Sequence, residues 1–133
     1  MLVYTFTNTL TSVVRARLTS GTGSLNSGAI GTDPHQYIVN LTGVSNAQYV
    51  TVTLIDVTDS AGNFSSAVPA SMGVLLGDTN GDGFVNSADI SQTKSQSGNT
   101  VTSANFREDV NAYGFINSAD ISLVKSKSGT ALP

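Results

Sequence analysis

The N-terminal part of the chain, residues 1–76, alternates short apolar or β-branched runs with clusters of turn residues. Five of these runs are strand candidates, at residues 2–6, 12–19, 36–41, 49–57 and 68–76. In the run YVTVTLIDV, residues 50, 52, 54 and 56 should face one side of a strand, and residues 49, 51, 53, 55 and 57 the other. Short strands separated by turn clusters predict an antiparallel β-sandwich of six or seven strands.

The segment VTDSAGN at residues 57–63 resembles the turn of bacterial immunoglobulin-like modules. This resemblance implies an immunoglobulin-like sandwich for residues 1–76 and carries no function. An exposed face of Tyr4, Tyr37 and Tyr49 would suit a carbohydrate-binding β-domain, whereas buried or cross-strand positions for these rings would not. Both possibilities stay open at this point.

Composition narrows the classes of partner. Charged residues make up 11% of the chain and the formal net charge is −3, so nothing favours counterion-driven binding of nucleic acid or of an anionic membrane surface. No apolar run approaches the ~18 residues that a membrane-spanning helix needs, and the absence of cysteine excludes disulfides. The Ser-, Thr-, Asn- and Gly-rich balance is common in bacterial extracellular modules. We therefore predict an extracellular or cell-surface location, in the C-terminal part of a larger secreted protein.

The pattern changes after Gly77. The segment DTNGDGFVNSADISQTKSQSG at residues 78–98 recurs as DVNAYGFINSADISLVKSKSG at residues 109–129, so that Asp109 takes the place of Asp78. This duplication predicts a second domain at residues 77–133, with a boundary between Leu76 and Gly77.

Each repeat has the spacing of a twelve-residue calcium loop. Calcium takes six to eight hard oxygen ligands, which such a loop supplies from places one, three, five, seven, nine and twelve, with glycine at place six. The first loop has Gly83 at place six, and its predicted ligands are Asp78, Asn80, Asp82, the carbonyl of Phe84, Asn86 and Asp89. Asn86 could bind the ion directly or through water.

The second loop keeps the same places with one substitution. Its predicted ligand places hold Asp109, Asn111, Tyr113, Phe115, Asn117 and Asp120. Tyr113 stands where the first loop has a carboxylate, so one ligand and one charge are lost. We predict two calcium sites, of which the second is weaker or completed by water; a degenerate second loop is the alternative. Val85 and Ile116, both at place eight, are expected to bridge to each other.

A short helix should follow each loop. Asn86 or Ser87 can cap the first helix, Gly98 is placed to end it, and its thin apolar side is chiefly Ile90 with Ala88. The expected result is a small all-α module with paired EF-hand-type loops.

An ordinary EF-hand has a final Glu and a helix on both sides of the loop, whereas these repeats have a final Asp and a helix on one side. The motif GDTNGDGFVNSADI and its duplication resemble a dockerin of type I, over Gly77 to about Gly129. The resemblance implies calcium-dependent folding and binding to a cohesin-like module. Carried over place by place, the partner-binding residues are Ser87, Ala88, Lys94, Ser95, Ser118, Ala119, Lys125 and Ser126. Because the two faces are nearly identical, binding in two orientations is expected.

We therefore predict a calcium-dependent docking module and no enzyme in this chain, in a bacterial protein concerned with polysaccharide degradation. The acidic residues outside the loops form no acid and base pair, so no small-molecule substrate is expected. The main alternative is a calcium-stabilised structural cap or surface-anchoring tail that has no cohesin partner. The second alternative is the carbohydrate-binding β-domain.

Overall fold

The computed structural model describes residues 1–133, which form six strands and two helices. The strands are β1 (Leu2–Thr5), β2 (Leu10–Ser20), β3 (Ser24–Ile30), β4 (Gln36–Thr42), β5 (Gln48–Asp59) and β6 (Phe64–Val74), and the helices are α1 (Ser87–Gln96) and α2 (Ser118–Lys127). The strands make two three-stranded sheets, with the orders β1-β4-β3 and β2-β5-β6. Neither helix is long and apolar enough to cross a membrane.

The chain divides into two compact units. The first comprises Met1–Ser45 and Tyr49–Met72, and the second comprises Asn46–Gln48 and Gly73–Pro133. All six strands lie mainly in the first unit, and both helices lie in the second. The domain boundary between residues 76 and 77 stays a prediction.

The core of the first unit is built from both sheets. Its buried apolar residues are Tyr4, Leu10, Tyr37, Val39, Val50, Val52, Leu54 and Val57. Tyr4 on β1 is the cross-strand partner of Tyr37 on β4, and the Tyr4 hydroxyl donates a 2.6 Å hydrogen bond to the carbonyl of Val52 on β5. Burial raises the pKa of both hydroxyls. The two rings are therefore core residues and contribute nothing to an exposed sugar-binding platform.

The strand at residues 49–57 buries residues on both of its predicted faces. Val50, Val52 and Leu54 are buried on one face, and Thr53 and Val57 are buried on the other, at 8% and 5% exposure. Asp56, which the pattern places with Val50, is only partly buried and takes a left-handed conformation, with φ of 51°.

Strand β3 was absent from the sequence prediction because its sequence, SLNSGAI, is mostly polar or small. It pairs antiparallel with β4, which carries the apolar positions. Gly28 on β3 is required by this pairing: a Cβ atom there would lie 2.9 Å from the Tyr37 hydroxyl. The strand is therefore stabilised by its pairing with β4 and not by the β-propensity of its own residues.

The predicted fold class, an immunoglobulin-like sandwich followed by a small all-α module, is wrong. The chain is mostly β, with only two short helices, and it has no separate all-α domain. Apart from α1 and α2, the part of the chain after β6 consists of turns, bends and isolated bridges, which join Phe84 to Ala131 and Thr100 to Phe115. The physical reason is that the loops satisfy their backbone N–H groups with side-chain oxygens instead of helical carbonyls.

The predicted helix ends are confirmed, and of the predicted apolar side Ile90 is half-buried whereas Ala88 is not buried. Asn86 is the N-cap of α1, and the helix ends before Gly98, which has φ of 93°. Ala88 is exposed, and the buried residues of α1 are Asp89 and Thr93. Because so little apolar surface is buried, α1 depends on its cap and loop for stability.

Candidate calcium loops

The first loop is wound around the carboxylate of Asp78. This carboxylate accepts hydrogen bonds from the backbone N–H groups of Gly81 (2.7 Å), Asp82 (3.1 Å) and Gly83 (2.9 Å). Gly81 and Gly83 both have positive φ, which turns these N–H groups inward. The loop therefore has its tight turn at the places that a calcium loop requires.

The next two predicted ligands lie close together in the same turn. The Asn80 side-chain oxygen accepts from the Asp82 N–H at 2.9 Å, and its amide nitrogen donates to Asp82 Oδ2 at 3.0 Å. Asp82 Oδ1 accepts from the N–H of Phe84, also at 2.9 Å. Phe84 presents its side chain to solvent, so its backbone is the part that belongs to the loop.

Asp89 joins the two ends of the first loop. Its Oδ1 accepts from the N–H of Thr79 at 2.9 Å, and its Oδ2 accepts from the N–H of Asn86 at 2.8 Å. The Asn86 side chain in turn accepts from the N–H of Ala88 at 2.7 Å, which completes a capping box. Asn86, predicted both as a helix cap and as a ligand, is the N-cap of α1, and its role as a ligand stays a prediction.

The second loop repeats part of this hydrogen-bond pattern, while Ala112 donates to the backbone carbonyl of Asp109 and not to its carboxylate. Asp109 accepts from the N–H groups of Tyr113 (3.1 Å) and Gly114 (2.8 Å), and the Asn111 oxygen accepts from the same Tyr113 N–H (3.0 Å). Asp120 accepts from the N–H groups of Asn111 and Asn117. Asn117 caps α2 in the same capping box as its counterpart.

Tyr113 contributes only its backbone to the second loop. Its side chain is 85% exposed. The preceding residue, Ala112, has φ of 59° and takes the place that Gly81 has in the first loop. The loop therefore keeps its backbone conformation without the fifth-place carboxylate, and the substitution removes one oxygen ligand for a cation.

Both twelfth-place carboxylates are buried without a basic partner. Asp89 and Asp120 are 0% exposed. The one ion pair in the structure joins His35 to Asp33, so no lysine or arginine lies within 4.0 Å of either buried carboxylate. Burying an unpaired carboxylate is costly, and backbone N–H groups and a helix N-terminus offset that cost only in part. A bound cation would supply the missing positive charge.

The donor chemistry fits calcium, although neither loop gathers three acidic side chains into one cluster. Asp78, Asp82 and Asp89 each accept hydrogen bonds from backbone N–H groups of the loop. Each carboxylate oxygen has about two lone pairs, so an oxygen that accepts one N–H can still bind an ion. Side-chain oxygens of asparagine and the seventh-place carbonyl would complete the set with hard oxygen donors.

The expected bridge between Val85 and Ile116 is not formed. The backbone of Val85 bonds to Gly129 and Thr130, and that of Ile116 bonds to Gly98 and Asn99. Both side chains are buried, together with Val124 of α2. The loops are thus connected through the segments that follow the helices and not directly to each other.

All eight predicted partner-binding residues are exposed. The two faces are also alike in detail: the Ser95 hydroxyl donates to the carbonyl of Gln92, and the Ser126 hydroxyl donates to the carbonyl of Leu123, each at 2.7 Å. Position for position, the exposed surface of α1 is repeated on α2.

Sequence reasoning missed the role of Glu108. This residue is buried, at 4% exposure, and its Oε1 accepts a 2.6 Å hydrogen bond from Gln92, which also donates to the carbonyl of Thr79. Its Oε2 has no partner. No pattern could have shown this, because Gln92 and Glu108 have Leu123 and Gly77 at the equivalent places of the other repeat.

The comparisons with known proteins agree with the geometry of the loops. No curated protein and no solved structure matches this chain. The family model of the dockerin type I domain matches residues 76–127, which include both loops and both helices. A dockerin domain in general docks to a cohesin module in a calcium-dependent way and is not catalytic. This match covers less than half of the chain and supports a dockerin domain within residues 76–127.

Proposed function

We propose that residues 77–133 form a docking module that binds two calcium ions and then a cohesin-type module on another protein. The observation that carries this proposal is the pair of fully buried carboxylates, Asp89 and Asp120, each at the end of a repeated loop and without a basic partner. The family match over the same residues supports the same function.

The mechanism links ion binding to the ordering of the helices. In the first loop, Asp78, Asp82 and Asp89 place three like charges on one twelve-residue segment, so a bound cation would favour the folded loop. Calcium supplies the positive charge when it is bound. Because Asp89 also belongs to the capping box of α1, a fixed Asp89 fixes the start of that helix and the exposed face that follows.

The recognition faces are proposed to be equivalent. Ser87 and Ala88 on α1 occupy the same places as Ser118 and Ala119 on α2, and all four are exposed. A partner that binds one face can therefore bind the other after a two-fold rotation. Replacing residues 87 and 88 alone should leave binding nearly intact, whereas replacing both pairs should abolish it.

We further propose that the protein acts outside the cell or at its surface, in a bacterial system that degrades polysaccharides. Calcium loops with two or three carboxylates suit the millimolar calcium of extracellular modules. The N-terminal unit is proposed to be a separate domain that ends near residue 76.

The experiment that tests this function is calorimetric titration of the chain with a panel of cohesin modules, in calcium and again in excess chelator. Binding in calcium that disappears in chelator supports docking. Calcium binding without any cohesin binding would favour the calcium-stabilised cap. Retention on insoluble polysaccharide without cohesin would favour a carbohydrate-binding β-domain.

A further inference from the structure

The segment that follows each helix forms backbone hydrogen bonds with the loop of the other repeat. We call residues 98–101 the first tail and residues 129–132 the second tail. In the second tail, Gly129 donates to the carbonyl of Val85 (2.8 Å), Thr130 accepts from the N–H of Val85 (2.9 Å), and Leu132 donates to the carbonyl of Gly83 (2.9 Å). The tail of the second repeat is thus bonded to the loop of the first.

The first tail makes the same bonds to the second loop. Gly98 donates to the carbonyl of Ile116 (2.8 Å), and Asn99 accepts from the N–H of Ile116 (3.0 Å). Val101 donates to the carbonyl of Gly114 (3.3 Å). Positive φ at Gly98 and Gly129, of 93° and 91°, turns the chain from each helix toward the opposite loop.

These bonds lie on both sides of the predicted seventh-place ligand. In the first loop they hold the carbonyl of Gly83 and both backbone groups of Val85, and the residue between them is Phe84. The orientation of the Phe84 carbonyl therefore depends on the second tail. The orientation of the Phe115 carbonyl depends on the first tail in the same way.

We propose that each tail is a positioning element for the calcium loop of the other repeat. The second tail therefore sets the calcium affinity of the first loop, and the first tail sets the calcium affinity of the second loop. This inference rests on the proposed function in so far as the loops bind calcium. It also predicts positive cooperativity, because a filled loop orders its own helix and that helix carries the tail that orders the other loop.

The test uses two prolines, because proline has no backbone N–H. Leu132→Pro removes the donor to Gly83, and Val101→Pro removes the donor to Gly114 at the equivalent place of the first tail. Leu132→Ala and Val101→Ala keep the N–H groups and serve as matched controls. Calcium is titrated into the full chain while the backbone amide signals of Gly83 and Gly114 are followed by NMR, so that each loop is read separately.

We expect Leu132→Pro to raise the dissociation constant of the first loop about five- to tenfold, and Val101→Pro to raise that of the second loop by a similar factor. The proposal is overturned if each proline weakens the loop of its own repeat, or if both prolines weaken both loops equally. If Leu132→Pro loses helical circular dichroism, a chain that ends at Ala131 removes the same donor without a proline.

Hydrogen exchange of the two amides bonded to the tails, measured with and without calcium, separates this inference from the proposed function. Under a condition in which the unmodified chain protects both amides, exchange of the Val85 amide should quicken in Leu132→Pro and not in Val101→Pro, with the opposite result for the Ile116 amide. Absence of calcium binding in the unmodified chain would end the proposed function, while this exchange pattern would still support the bonds between each tail and the opposite loop. Exchange that is unchanged at both amides, or a lack of protection in the unmodified chain both with and without calcium, would overturn those bonds.

Discussion

Tyr113 occupies the place in the second loop that Asp82 has in the first, and the backbone of the loop does not depend on that exchange. Tyr113→Asp should therefore restore a fifth-place ligand and tighten calcium binding at the second site by about tenfold, or ~1.4 kcal/mol. The reverse change, Asp82→Tyr, should weaken the first site similarly. Calorimetry on both variants checks this, and an unchanged second site in Tyr113→Asp would contradict the ligand assignment.

Ala112 is the residue with the clearest backbone strain in the second loop, since its φ of 59° is a left-handed conformation. Ala112→Gly should raise the free energy of unfolding by about 1 kcal/mol, because glycine has no Cβ to oppose that conformation. Gly81→Ala is the matched control and should destabilise the first loop, where a Cβ would also lie 2.5 Å from the Arg107 guanidinium. Urea unfolding in saturating calcium measures the free energy of unfolding of both variants, and an unchanged value in Ala112→Gly would refute the strain.

Asp59 accepts hydrogen bonds from the side chains of Asn63 and Asn8 and from two backbone N–H groups, and these lower its pKa from 3.8 to about 2. Since the folded-state pKa is the lower one, this turn contributes stability above about pH 4 that is lost as the pH falls toward 2. The stability difference between the unmodified chain and Asp59→Asn should therefore shrink in that window. Carboxyl NMR titration of Asn63→Ala tests whether the Asn63 side chain lowers the pKa of Asp59. In this variant the pKa of Asp59 should lie nearer its ordinary value.

At the scale of the elements, α1 and α2 have the same caps and differ in what they bury. Thr93 on α1 is buried at the place of Val124 on α2, and its hydroxyl donates to the carbonyl of Asp89 within the same helix. Thr93→Val should raise the free energy of unfolding by about 0.5–1 kcal/mol, because the carbonyl keeps its helical N–H partner. Val124→Thr should lower it by about 1 kcal/mol. Thermal unfolding of the two variants measures these changes in the free energy of unfolding. Changes of the same sign and size in both variants would be inconsistent with this packing.

Some elements could be predicted from local pattern alone and others could not. The tight turn of the first loop and the ends of α1 follow from residue types at fixed spacing, such as Asp78, Gly83 and Asn86, whereas calcium binding by the loops stays a prediction. Strand β3 has little propensity of its own and exists because β4 pairs with it. The exchanged tails depend on contacts between segments far apart in the chain, such as Val85 with Gly129, which no periodicity encodes.

For the whole molecule, the family motif agrees with the match to the dockerin type I domain and was misleading about the fold class. The repeats predicted an all-α module, yet their helices are short and most of their backbone lies in loops. The apolar core around Val85, Ile116 and Val124 is small. A module of this kind needs a staple, and calcium at a thousand times its dissociation constant would contribute ~4 kcal/mol through binding linkage.

Calcium binding should fold the repeated loops, and a single titration can show whether it does. Calcium is titrated into chelator-stripped protein by calorimetry while helical circular dichroism is recorded in parallel. We expect two sites of unequal affinity, the tighter at the loop of Asp82 and the weaker at the loop of Tyr113, with a gain of helix as they fill. No heat of binding and no change in helix content would contradict it.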